Sequence, residues 1–302
     1  MLCIVYVIAV TTLLGMAGVL VERALPANFP RRWIWCVTIA LSLLIPPVYR
    51  LNHAASVTDA FVQSAARNEL YAMIISPLWL ASSAILVLWG LTNAVRVALI
   101  MHRSRKAKTH RNTVDGYSVV VTDAVGPATV GILRSNVLLP RWVLALPRIQ
   151  RQYVVRHEAE HRSAHDARLL FAASLTLLLV PWNLALWWML RRLALAVEMD
   201  CDNRVVAALG NPNAYGELLL KVAQASSRGP SLQPALLGKG MLERRLIHLV
   251  APEPLRRMQR FLLPALACAL LVVVFIMPHP VLPSDSPDAH AAMTTPVSSV
   301  TR

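Results

Sequence analysis

The chain has 302 residues, of which 56% are hydrophobic and 15% are charged, and its formal net charge is +14. Its mean hydropathy of +0.51 is too high for an ordinary soluble domain. The composition therefore excludes a typical soluble globular protein and predicts a membrane protein.

Five apolar stretches reach or approach the roughly 17–25 residues that cross a bilayer core. They are residues 2–20, 33–49, 73–100, 169–190 and 261–277. The first lacks a basic start and a clear small-residue cleavage site, so we interpret it as a retained anchor rather than a secretory signal.

The distribution of basic residues predicts how these stretches are oriented. Residues 101–168 contain twelve Lys and Arg and residues 191–260 contain eleven, whereas 50–72 and the tail after 277 contain few. Because basic loops stay in the cytoplasm, we expect both basic segments inside, and the N-terminus, the 50–72 loop and the tail outside. The positive charge also favours contact with anionic lipid, and we expect no direct nucleic-acid binding.

Two segments before the middle of the chain have the alternating, β-branched character of strands. They are "YSVVVT" (117–122) and "VGILRSNVLLP" (130–140). Together they predict a short hairpin beside the following helix, whose edge either takes up substrate as an added strand or merely covers the helix. Gly131, Arg134 and, further along the chain, Tyr215 are candidates for positioning the substrate.

The sequence "HEAEH" (157–161) has the spacing of a zinc-binding helix. His157 and His161 lie one turn apart, so both imidazoles can bind one zinc ion while Glu158 acts as general base toward water. The alternative is a solvated helix with ordinary surface ion pairs, and we expect Glu160 to pair with Arg156 in either case. A third ligand from another element decides between the two interpretations.

The apolar stretch 169–190 separates this motif from the next carboxylates. It either crosses the membrane once or turns at Pro181 and Asn183 and returns, because proline interrupts a helix. We expect a re-entrant or buried helix pair, since only that arrangement keeps both basic flanks on one side.

The segment "EMDCD" (198–202) supplies the missing ligand. Glu198 and Asp202 are four residues apart on a helical pattern, so Glu198 can bind zinc while Asp202 hydrogen-bonds the far nitrogen of a ligand histidine. Cys201 either binds metal or is a packed thiol, and we expect the latter because glutamate completes a common ligand set. Candidates for a second oxyanion donor are Tyr215, Arg134 and His165.

This ordered set of motifs resembles the BlaR/MecR-type membrane metallopeptidases, the antirepressor proteases of beta-lactam signalling. The matching stretches are "HEAEH" followed by Asp166, the "PWN" turn (181–183), "EMDCD", "VGILRSNVLLP", "AYGELLLKVAQ" (214–224) and "LERRLIHL" (242–249). The resemblance covers about residues 1–278, and it departs from the family at Ser135, where proline is usual.

The resemblance implies a mainly α, multi-pass membrane protein with a cytoplasmic α+β gluzincin-like zinc metalloprotease domain. It implies one zinc ion per chain bound by His157, His161 and Glu198, with Glu158 as general base. Asp202 and Asp166 would orient the ligand residues without binding the metal themselves.

The corresponding domain division has four parts. Residues 1–100 would hold three transmembrane helices, and 101–260 the zinc domain with its helix pair at 169–190. Residues 261–277 would form the last span, and 278–302 a short disordered extracytoplasmic tail.

The resemblance further implies a bacterial inner-membrane protease that cleaves a cytoplasmic repressor-type protein. Family members that sense beta-lactams carry a large external penicillin-binding domain, whereas only residues 278–302 follow the last span here. We therefore expect no covalent drug sensing; a signal would enter through the 50–72 loop, the tail or a separate membrane sensor partner. Residues 225–240 are a candidate segment for self-cleavage.

Two other functions stay open on the sequence. One is a membrane-protein quality-control zinc protease with the same chemistry. The other is a non-catalytic metal-binding signalling scaffold, against which Glu158 argues, because a purely structural site needs no general base.

Overall fold

The computed structural model describes residues 2–26, 29–53, 69–106, 111–122, 126–132, 135–226, 239–250 and 257–277. Several sequence predictions lie outside the described residues. They are Arg134, the tail 278–302, and most of the 50–72 loop and of the 225–240 segment.

The described chain is mainly helical. Three helices come first, α1 (Leu2–Ala24), α2 (Arg32–His53) and α3 (Glu69–Lys106), and four short strands follow. The remaining helices are α4 (Arg141–Leu144), α5 (Arg148–Ser163), α6 (Asp166–Leu179), α7 (Leu184–Leu209), α8 (Pro212–Ser226), α9 (Lys239–Val250) and α10 (Arg257–Ile276).

Three helices of the described part are long and apolar enough to cross a membrane. These spans are Ile4–Ala24, Pro77–Leu99 and Met258–Ile276, while the apolar part of α2, Arg32–Ile45, is shorter. Large apolar side chains on α3 and α10 are exposed, for example Leu88 at 66% and Phe261 at 75%. Such continuous apolar surface would be costly in water, so these helices indicate a membrane protein.

The four strands form one sheet in the order β1-β2-β4-β3. They are β1 (Arg111–Val114), β2 (Tyr117–Val121), β3 (Ala128–Val130) and β4 (Asn136–Leu139). β1 and β2 form a tight hairpin through Asp115 and Gly116, both with positive φ, as a two-residue turn requires.

The prediction that 117–122 and 130–140 form one hairpin with each other is wrong. β2 and β4 are neighbours, but they run parallel, and β4 makes its antiparallel pair with β3. β3 allows this arrangement because it runs antiparallel to both β2 and β4, so β4 begins again at the end of the sheet where β2 began. The strand at the edge beside α5 is therefore β3.

The apolar stretch 169–190 contains a helix break. α6 ends at Leu179, and α7 begins after Asn183, whose side chain accepts hydrogen bonds from the backbone N–H groups of Ala185 and Leu186. Asn183 is 1% exposed and donates to Thr11 of α1 at 3.0 Å. Because α6 and α7 pack on each other, α7 brings the chain back toward α5.

The described residues form two main apolar cores. One joins the sheet, α5 and the helices α7 to α9, and it contains Val137, Val155, Val205 and Tyr215. The other joins α1, α2, α6, α7 and α10 around Trp35 and Met189. α7 contributes to both cores, which fixes its middle section where the site lies.

Candidate metal centre

Three predicted donor groups converge between α5 and α7. The Nε2 atoms of His157 and His161 are 3.2 Å apart. Glu198 Oε2 lies 3.6 Å from the first of these atoms and Glu198 Oε1 lies 3.6 Å from the second. Two ligands at about 2.0–2.1 Å from a tetrahedral zinc ion are separated by roughly 3.3–3.4 Å. The three groups therefore have the spacing that a zinc ion requires.

The far nitrogen of His161 is held by the next helix. Asp166, the first residue of α6, accepts from His161 Nδ1 at 2.7 Å and is only 2% exposed. His165 makes this return possible by adopting a left-handed conformation (φ 57°) between α5 and α6. Asp166 thus orients His161 and keeps its proton on Nδ1.

The far nitrogen of His157 is held by Tyr215 on α8. The Tyr215 hydroxyl donates to Asp202 at 2.7 Å and lies 2.9 Å from His157 Nδ1, whereas Asp202 itself is 3.5 Å from that nitrogen. Since the hydroxyl proton points to Asp202, its oxygen accepts from His157 Nδ1. Asp202 therefore acts on His157 mainly through Tyr215, not directly as predicted.

These two contacts determine what the site can bind. With both Nδ1 atoms protonated, the two Nε2 lone pairs face one point. A cation placed there, either a proton or a metal ion, relieves their repulsion. The donor chemistry thus fits a metal ion held by His157, His161 and Glu198.

An arginine that the sequence interpretation missed closes the site from α9. Arg245 binds both oxygens of Asp202 at 2.8 Å and reaches a Glu198 oxygen at 2.8 Å. Burial raises the pKa of Glu198, but Arg245 and the two imidazoles outweigh burial and hold that pKa far below its ordinary value. Glu198 is therefore an ionised carboxylate that can accept a cation.

The site as a whole favours positive charge between the histidines. Burial disfavours a charged imidazole, yet the adjacent Cys201 and Glu198 side chains raise the pKa of His157 to about 10. The pKa of His161 is raised for the same reasons, with Asp166 contributing. A metal ion would replace the proton that the two imidazoles attract.

Cys201 offers a second donor set. Its sulfur lies 3.3 Å from His157 Nδ1, and the ligand atoms of His157, His161 and Cys201 lie within 4.8 Å of one another. Burial raises the pKa of the Cys201 thiol, but the two imidazoles lower it by more. The sulfur contacts the Nδ1 atom of His157, whereas the Glu198 carboxylate lies 3.6 Å from the Nε2 atom of each histidine, so the facing Nε2 pair favours the set with Glu198.

The edge strand β3 contacts Glu158, the residue that follows His157 in the motif. The Thr129 hydroxyl of β3 lies 2.7 Å from the backbone oxygen of Glu158 and 2.9 Å from its Oε2. Glu158 is 7% exposed. A hydroxyl contact of this kind fixes the direction of the carboxylate, and the sequence interpretation did not identify it.

The remaining predicted residues have the following positions. Glu160 pairs with Arg156 at 2.6 Å, as predicted, and also with Arg204 at 2.9 Å. Gly131 follows β3 with a φ of 106°, next to the strand that contacts Glu158. Tyr215 is 1% exposed on the Nδ1 side of His157, so it does not face the donors as a substrate-positioning residue would.

The sequence profile described as BlaR1 peptidase M56 matches residues 48–249, a range that includes all of these groups. The chain belongs to this peptidase family. Regulatory protein BlaR1 of Bacillus licheniformis is 25% identical over 111 residues, which are 36% of this chain and 18% of that protein. The chain thus aligns with less than a fifth of the length of BlaR1, and no solved structure matches it.

Membership of the M56 family suggests a BlaR1-like membrane metallopeptidase. It agrees with the apolar helices and with a possible metal site at the histidines. Arg245 and Thr129 were missed because nothing in their local sequence marks them. The only signal for Arg245 was its place in "LERRLIHL", where two adjacent arginines look equivalent.

Proposed function

We propose that the chain is a membrane-embedded zinc metalloendopeptidase that hydrolyses peptide bonds of a cytoplasmic protein in a signalling pathway. The observation that carries the proposal is the convergence of His157, His161 and Glu198, with Glu158 next to His157 in the same motif. Family membership supports the peptidase class. The substrate would be a transcriptional repressor, by analogy with the regulatory protein that the chain resembles.

His157, His161 and Glu198 would hold the ion, one per chain. A zinc ion there supplies a Lewis acid for the scissile carbonyl and lowers the pKa of a bound water to about 7. Glu158 takes the proton from the attacking water and delivers a proton to the leaving amine. Thr129 keeps the Glu158 carboxylate oriented between these two transfers.

The substrate would lie along β3. β3 is at one end of the described sheet, with β4 as its strand neighbour. A peptide added as a further strand would pass next to Thr129 and hence next to Glu158. Backbone hydrogen bonds would hold an extended segment of the substrate with little dependence on its side chains.

The proposed topology follows from charge. The zinc domain, a gluzincin-like α+β unit, would face the cytoplasm of a bacterial inner membrane, with the N-terminus and the tail outside. The basic residues in 101–168 and 191–260 support this orientation. Membrane lipid would surround α3 and α10, whose apolar side chains are exposed.

The test compares E158Q with E160Q in detergent-purified protein. Both variants remove one carboxylate from α5, but Glu160 binds Arg156 and Arg204 rather than facing the donors. Cleavage of fluorescent casein and zinc content would be measured in parallel. E158Q should retain about one zinc ion and lose roughly 10²–10⁴-fold in rate, as loss of a general base does, while E160Q stays active.

Equal cleavage by E158Q and the wild type would overturn the protease assignment and favour a metal-binding scaffold. The signalling role is tested in cells that express the wild type or E158Q. A transcript change that requires Glu158, without accumulation of membrane proteins, supports a repressor substrate. Accumulation of membrane proteins without a transcript change would instead indicate quality control.

A further inference from the structure

The N-terminal end of α2 is far in sequence from the candidate metal centre but is hydrogen-bonded to residues beside it. Asp200 of α7 is 4% exposed, and its two oxygens accept from the backbone N–H groups of Arg31 at 3.0 Å and Arg32 at 3.1 Å. The first N–H groups of a helix lack partners within the helix and carry partial positive charge. The carboxylate of Asp200 therefore fixes the start of α2 to α7, two residues after the ligand Glu198.

The side chain of Arg32 reaches the other half of the centre. Its Nη1 donates to Asp166 Oδ1 at 2.7 Å, while Asp166 Oδ2 binds His161 Nδ1 at 2.7 Å. Both Arg32 and Asp166 are largely buried, with side chains 12% and 3% exposed. Arg204 approaches the same carboxylate only to 3.8 Å. Arg32 is thus the close cationic partner that sets the direction of Asp166.

The first turns of α2 are also packed firmly against α7. Trp35 is fully buried, meets the ring of Trp188 edge-on at 5.6 Å, and donates to Glu22 of α1 at 3.1 Å. Any shift of α2 relative to α6 must therefore change the Arg32 to Asp166 contact. The same Asp166 side chain is hydrogen-bonded to His161.

We propose that Arg32 is a positioning residue of the metal centre, and that α2 couples the membrane helices to the orientation of His161. The proposal rests on the proposed function, since it assumes that His161 binds zinc. A carboxylate bonded to the far nitrogen of a ligand histidine fixes its ring and raises its basicity. Displacing α2 turns Asp166 and weakens the zinc site, so α2 is the route by which a membrane signal reaches the peptidase.

The test measures zinc affinity by chelator competition in the detergent-purified full chain. R32Q should bind zinc about 10-fold more weakly, the lower end of the range for loss of such a partner. R31Q is the matched control: it removes the same charge, and Arg31 reaches Asp200 through its backbone N–H. R31Q should remain within about twofold of the wild type.

A second readout is the visible spectrum of the cobalt-substituted protein, which reports ligand geometry rather than stability. It should change in R32Q, stay unchanged in R31Q, and return toward wild type in R32K. If R32Q does not fold, D200N carries the test, since it loosens α2 while keeping Arg32. D200N should then weaken zinc binding in the same direction.

The proposal would be overturned if R32Q had wild-type zinc affinity and an unchanged cobalt spectrum. The same holds for D200N where it replaces R32Q, and the proposed function would stand in either case. Failure of the proposed function has different signatures. Either the folded wild type binds no zinc at all, or it binds zinc and E158Q cleaves as well as the wild type.

Discussion

Replacing Arg245 is the strongest test of how the charges around the centre are paired. Arg245 makes three charged contacts at 2.8 Å, two to Asp202 and one to Glu198, and Asp202 is fully buried. Removing one partner of a buried pair costs about 3–5 kcal/mol, against about 0–1 kcal/mol for a pair at the surface. R245M should therefore lower the free energy of unfolding by about 3–5 kcal/mol.

Thermal unfolding in detergent, followed by intrinsic fluorescence, would measure this loss. At roughly 2–4 °C per kcal/mol, the melting temperature should fall by on the order of 10 °C. The matched control is R244M, because Arg244 is the adjacent residue and is exposed. R244M should stay within about 0.5 kcal/mol of the wild type.

A second variant separates the buried charge from lost packing. In the double variant R245M/D202N, an asparagine oxygen can still accept from Tyr215, and the unpaired charge of Asp202 is gone while that of Glu198 remains. The double variant should be more stable than R245M alone. If R245M melts like R244M, or if the double variant is less stable than R245M, the reasoning from buried charge is refuted.

Three further predictions concern the centre itself. T129V should keep zinc but lower kcat about 10-fold, because a hydrogen bond to charged Glu158 contributes about 1.5 kcal/mol or more. T129S, which keeps the hydroxyl, is the control, and full activity in T129V would contradict this prediction. D166N should bind zinc about 10–100-fold more weakly in chelator competition, because His161 loses its charged partner, and an unchanged affinity would contradict it. Removing zinc should lower the melting temperature of the wild type by more than that of E198A, since zinc at 100 times its Kd stabilises by about 2.7 kcal/mol; equal shifts would count against Glu198 as a ligand.

The parts of the site that lie on single helices could be predicted from spacing. His157 and His161, and likewise Glu198 and Asp202, face one way because they are four residues apart on α5 and α7. The break at Pro181 was also predictable, since proline cannot donate the N–H that continues a helix.

Contacts between distant elements could not be predicted in the same way. Arg32 reaches Asp166 across 134 residues of sequence, and Arg245 reaches Asp202 across 43. Neither residue has a local pattern that distinguishes it from the neighbouring Arg31 or Arg244. Their partners depend on how helices pack, which a single sequence does not reveal.

The strand pairing failed for a related reason. Alternating residues identify a strand, but the direction in which two strands pair depends on the chain between them. Residues 128–130 form a third strand that takes the antiparallel place beside β4, so β2 pairs with β4 in parallel. Tyr215 was assigned to the substrate side because its hydroxyl suits that chemistry, whereas packing placed it behind His157.

The central claim is that zinc is held by two histidines and Glu198, with Cys201 left out. X-ray absorption at the zinc edge of the purified protein measures this directly. We predict a shell of nitrogen and oxygen alone at about 2.0–2.1 Å. A sulfur at about 2.3 Å would place Cys201 on the metal and contradict the account, as would a folded wild-type chain that contains no zinc.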